Sequence, residues 1–148
     1  MALPQGARIT QQAFEVAKKS KRVDDLLRRN RKARKTMGEI HPEVCFWAFN
    51  GYKPMAFSKK SHNGFWERLR LMRDVSAEAY RATVELTVDG KGSAKVAPDV
   101  VLDAMVAALT ATAPCTALGS LPSNPPRDKK DLPMRMLYTT RDHVRVRT

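Results

Sequence analysis

A chain of 148 residues with 43% hydrophobic content has the length of one domain and enough apolar side chain to bury an ordinary core. Its net charge of +12 and isoelectric point near 10.2 make polyanions the expected partner class, nucleic acid foremost. The cysteines Cys45 and Cys115 are far apart with no Cys-x-x-Cys spacing, so a reduced, intracellular chain with no structural zinc is expected. The opening residues lack the apolar core of a signal peptide, and Asp103 cuts the longest apolar run far short of a membrane span. A soluble cytoplasmic chain with no membrane partner is expected.

Residues 1–38 hold eleven Lys and Arg against three acids, residues 39–73 six against three, and residues 119–148 seven against three. Residues 74–118 reverse the balance, with three cations against six acids, and are also the most apolar. They are expected to form the interior, with the basic flanks outside.

Residues 10–35 read as one basic helix, because Ile9, Ala13, Val16, Ser20, Val23 and Leu27 recur at spacings of three and four. Thr10 suits its N-cap. Beyond Leu27, Arg28, Arg29, Arg31, Lys32, Arg34 and Lys35 follow with no acid among them. They read either as a solvated helix end, where cations favour the negative pole of the dipole, or as a strip that tracks phosphates. Residues 36–40 read as a brief strand stopped by His41-Pro42. Pro42 suits the first turn of a helix reaching Phe49 that buries Val44, Phe46, Trp47 and Phe49.

Seven of the ten aromatics lie between Phe46 and Trp66, more readily explained by core packing than by base stacking. Asn50-Gly51 marks a turn, and Pro54 makes 52–58 a loop or an edge strand. From Gly64 a helix sets Phe65, Leu69, Met72 and Ala79 on one face and Glu67, Arg68, Arg70 and Arg73 on the other. Residues 83–88 alternate as a strand before the Asp89-Gly90 turn, or else finish that helix. Residues 98–112 form an acidic helix apolar nearly all round, and the proline-rich tail 114–148 carries a short strand near 134–138.

The chemistry-bearing residues concentrate in the motif region 39–73. Glu39-Ile40-His41-Pro42-Glu43 leads into Phe46-Trp47-Ala48-Phe49-Asn50-Gly51, then Ser58-Lys59-Lys60-Ser61, and closes on Gly64 and Glu67-Arg68. The span resembles the Glu-x-His-Pro-Glu signature of a family of predicted nucleases with a ribonuclease H-like fold, filed as a domain of unknown function. Ile9 to Phe14, Val23 to Leu27, Asp99 to Ala111 and Leu132 to Tyr138 resemble further blocks of that family in the same order.

The resemblance implies an α/β, ribonuclease H-like fold in a single domain, 1–148, corresponding to the C-terminal half of a family member. The first strands and their metal-binding aspartate are expected to be missing. It implies a metal-dependent nuclease lineage with Glu39, Asp99 and Asp103 as ligands of magnesium or manganese, and His41 and Glu43 beside them. Hard cations that activate water need such converging carboxylates. Lys59 and Lys60, as point charges, then hold a phosphate, with Arg28, Arg29 and Arg31 as further nucleic-acid contacts.

The same residues admit plainer roles. Asp103 can bridge to Lys or Arg, Glu43 can favour the start of the Pro42 helix, and the lysines can be simply solvated. Cys45 sits among aromatics as an inert thiol, and no glycine-rich phosphate loop or dinucleotide fingerprint is present. Three functions stay open: a metal-dependent nuclease, a non-catalytic nucleic-acid-binding module, and a structural subunit of a larger assembly. Missing strands would leave a sheet edge for a second copy or a partner chain to cover.

Overall fold

The computed structural model describes residues 10–88 and 96–144 and divides the chain into two compact units, Met1–Gly38 and Glu39–Thr148. The first holds α1 (Gln11–Arg29) and α2 (Arg31–Thr36). Thr10 caps α1, its hydroxyl accepting the Ala13 amide at 3.2 Å. The single helix expected over 10–35 is broken at Asn30. That residue leaves helical geometry (φ −124°, ψ 103°), and its side chain accepts the amides of Lys32 and Ala33 at 2.9 and 3.1 Å. A short amide side chain competes with the backbone for these donors, so asparagine restarts a helix where a longer residue would continue it. Within this unit Phe14, Val16, Val23 and Leu26 stay exposed.

The second unit is built on α3 (Pro42–Phe49), α4 (His62–Val75), α5 (Ala77–Thr87) and α6 (Pro98–Thr112). Proline opens α3 and α6, where a missing amide hydrogen costs nothing. The hydroxyl of Ser61 caps α4 through Gly64, and that of Ser76 caps α5 through Ala79. Ser76 therefore divides what the sequence suggests as one helix. Residues 83–87 belong to α5, which resolves the strand alternative. The Asp89-Gly90 turn lies outside the described residues.

The core gathers Cys45, Phe46 and Phe49 of α3, Leu69 and Met72 of α4, Ala79 of α5, and Leu102, Val106 and Leu109 of α6. Each of the larger side chains contributes about 1.5–3 kcal/mol by leaving water. The interior is thus shared by segments 39–73 and 74–118, whereas the charge balance pointed to the second alone. A basic segment buries a face as readily as an acidic one when its apolar positions keep helical spacing. Val44 and Trp47 are only half-buried, their places on α3 taken by Cys45 and Ala48. Nor is α6 enclosed: Val100, Ala104, Ala108 and Ala111 face solvent. Small and aliphatic residues on an outer face cost little, so apolar composition overstates burial.

Two threonines occupy the core without an unmet hydroxyl. Thr83 donates to the Ala79 carbonyl at 2.7 Å and Thr110 to the Val106 carbonyl at 2.8 Å.

Among the described residues the only sheet has two antiparallel strands, β1 (Gly119–Leu121) and β2 (Met136–Tyr138), with Ser120 opposite Leu137. β2 was expected; β1, with its glycine and serine, has no strand-like pattern. On the other side of β2, the Leu137 amide donates to the Glu39 carbonyl at 2.7 Å. The segment expected as a strand, 36–40, instead ends α2 at Thr36 and forms no strand, Glu39 alone meeting β2 through that bond. The chain is thus mixed α/β in content, mostly helical, with one small sheet.

Candidate functional site

Arg68 is 3% exposed, although its neighbours in sequence place it on the polar face of α4. Its Nε and Nη2 donate to the two carboxylate oxygens of Glu43 at 3.1 and 2.7 Å, a bidentate pair reaching the first turn of α3. Its Nη1 donates to the carbonyls of Phe57 and Gly64 at 3.1 and 2.9 Å, and its guanidinium carbon lies 5.6 Å from the centre of the Phe46 ring. Nε, Nη1 and Nη2 of the cation each have an acceptor, as a buried charge requires.

The loop between α3 and α4 is fastened at the same point. Glu67 accepts the amides of Ala56 and Phe57 at 2.7 and 3.1 Å. Ser61 Oγ donates to the Ser58 carbonyl at 2.7 Å, and Gly64 comes so close that a Cβ there would stand 1.9 Å from the Ser58 oxygen. Only glycine lets α4 begin against this loop.

Held in this way, Lys59 reaches α6. Its Nζ lies 2.8 Å from Asp103 Oδ2. The Asp103 hydrogen bond holds the Lys59 ammonium above its ordinary pKa; partial burial opposes this, and the charges of Asp103, Asp99 and Glu43 support it. The other carboxylate oxygen, Asp103 Oδ1, is buried with no hydrogen-bond partner. Four of the sequence candidates, Glu43, Lys59, Asp99 and Asp103, therefore share one electrostatic neighbourhood.

The remaining candidates have other surroundings, each described within its own unit. Glu39 is exposed and engages β2 by its backbone only in the bond described. His41 is exposed and precedes α3 without a capping side-chain bond. Lys60 is exposed, its amide donating to Ser58 Oγ at 3.4 Å. Arg28, Arg29 and Arg31 are exposed in the first unit, with Arg28 paired to Asp24 one turn earlier. Among the described residues, no three of His, Cys, Asp and Glu come together so as to hold a metal ion.

Sequence reasoning missed the roles of Glu67 and Arg68. One signal was available: Arg68 precedes Leu69 on α4 and follows Gly64 by one turn, so a long cation there has an open backbone beside it. Cys45 meets its expectation as a buried free thiol, which burial pushes above its ordinary pKa while the Thr110 side-chain hydrogen bond pulls it down.

Residues 2–130 match the family described as "Protein of unknown function (DUF429)". The chain belongs to this family. No curated protein and no solved structure matches it. The DUF429 match takes in α1 to α6 and the Glu-x-His-Pro-Glu span, so the Arg68 and Lys59 ion pairs lie within it. No helix among the described residues is long and apolar enough to cross a membrane.

Proposed function

We propose that this chain is a nucleic-acid-binding protein of ribonuclease H-like lineage that holds the phosphodiester backbone without cutting it. The observation that carries the reading is the double ion pair of the motif region. Glu43 spends both oxygens on Arg68, and Asp103 spends one on Lys59. Carboxylates committed to the chain's own cations are not poised to collect divalent ones. Among the described residues no group of three His, Cys, Asp or Glu converges on one point. The net charge of +12 and the exposed run Arg28, Arg29, Arg31 suit an electrostatic grip on phosphates.

The test is retention of a labelled oligonucleotide over a salt series, with strand integrity followed in magnesium and in manganese. Affinity should fall steeply with salt while the strand stays intact. The variant Arg29→Gln/Arg31→Gln should flatten the dependence of log K on log salt by roughly 1–2. Absence of binding at low salt sinks the proposal.

A second reading, the metal-dependent nuclease with Glu39, Asp99 and Asp103 as ligands, is favoured by one observation, the unpartnered Asp103 Oδ1. Metal-dependent cleavage that Asp103→Asn abolishes would select it. A structural subunit would instead bind an acidic protein and ignore naked nucleic acid.

A further inference from the structure

On the outer side of α4 lies an open groove of about 840 Å³, separate in its lining from the Lys59–Asp103 contact. Phe57 and Trp66 supply its aromatic surface, and His62, Asn63, Asn50 and Arg70 its polar groups. Phe57 is 48% exposed and Trp66 36% exposed, so ring area is left open to solvent. Trp66 packs edge to face with Phe65 at 5.6 Å and with His62, itself in the lining, at 6.0 Å between ring centres. Phe57 is held by its own backbone, the amide on Glu67 and the carbonyl on Arg68.

Two acids also line the groove, and each has a partner. Glu67 accepts the Ala56 and Phe57 amides, and Asp74 pairs with Arg73 at 3.4 Å. The groove therefore offers aromatic surface, the Asn63 amide, the Asn50 amide that also donates to the Lys53 carbonyl, the cation of Arg70 and the exposed carboxylate of Asp74.

We infer that this groove receives an unstacked base of single-stranded nucleic acid, stacked on Trp66 and Phe57, with Asn63 and Asn50 at its edge and Arg70 toward the strand's phosphates. The inference rests on the nucleic-acid reading above and adds the strand type and the place. Exposed aromatic surface next to a cation is what sequence-tolerant single-strand binding uses, because every base has a face to stack. A duplex keeps those faces inside its stack, so it would leave the groove empty.

The experiment uses the full chain with two strands of equal length, one of thymidine nucleotides and one in which every base is absent, compared by anisotropy at low salt. The wild type should bind the base-bearing strand about tenfold or more tightly than the abasic one. Trp66→Leu should remove that preference and leave the abasic affinity as it was. Equal wild-type affinities for the two strands, or a Trp66→Leu variant that keeps the preference, overturn the inference while backbone binding stands. Failure to bind either strand overturns both it and the proposed function.

Discussion

Lys59 Nζ stands 2.8 Å from Asp103 Oδ2 and so joins the loop before α4 to α6 across 44 positions of sequence. Glu67 and Arg68 bond the loop at residues 56 and 57, and Gly64 abuts it at Ser58, next to Lys59. An ion pair presented by one fastened segment to a helix ties the motif region to α6, which sequence order keeps apart.

Stability at alkaline pH should report this contact. The folded pKa of Lys59 is raised, chiefly by Asp103, so the folded state holds that proton more firmly than the unfolded chain. The resulting stability is present in full below the unfolded value and is lost as pH rises through the folded one. Burial raises Cys45 in the same sense, so the variant difference is the informative quantity. Urea midpoints of wild type and Lys59→Gln should lie apart at about pH 8 and draw together as pH rises past the ordinary lysine value of about 10.4. A gap that widens with pH would contradict the assignment.

Removing one member of the Glu43–Arg68 pair should cost more than any exposed ion pair. Arg68→Ala leaves a carboxylate and two carbonyls without their donor, and about 3 kcal/mol is expected, the lower end for a buried pair because Glu43 keeps some solvent. Arg68→Lys should recover only part of the loss, since an ammonium cannot reproduce the fork. Chemical denaturation measures both; full recovery by lysine would show that charge alone matters.

Gly64→Ala should destabilise by about 1–3 kcal/mol, because the obstacle is the Ser58 backbone and not a side chain that can swing away. Gly51, by contrast, has open space around it; its positive φ of 66° makes Gly51→Ala a matter of backbone strain alone. Thermal melts of the two variants should rank Gly64→Ala as the more damaging, and the reverse order would mean that the loop is free to shift.

Local signals carried much of the secondary structure. Thr10, Pro42 and Pro98 open helices where capping and ring geometry require, and the α3 range emerges from proline at one end and Asn50-Gly51 at the other. The breaks at Asn30 and Ser76 were less legible, since a polar residue within a helical pattern is consistent with either continuation or a cap. β1 was not legible at all, because its partner lies outside any local window.

The motif region reads as a candidate site from its acids, lysines and imidazole, and the charges of Glu43 within it and of Asp99 and Asp103 on α6 all act on Lys59. What each group does there was beyond the sequence. A carboxylate's role depends on which cation stands next to it, and that is set by distances between elements far apart in the chain. Sequence by itself fixed the charge, the helix starts and the aromatic inventory, because these depend on side-chain chemistry and on neighbours a turn away. Tertiary structure alone decided that Arg68 goes inward to Glu43, that Lys59 meets Asp103, and that Trp66 is left facing a groove. Burial and ion pairing arise only when separate helices close on one another.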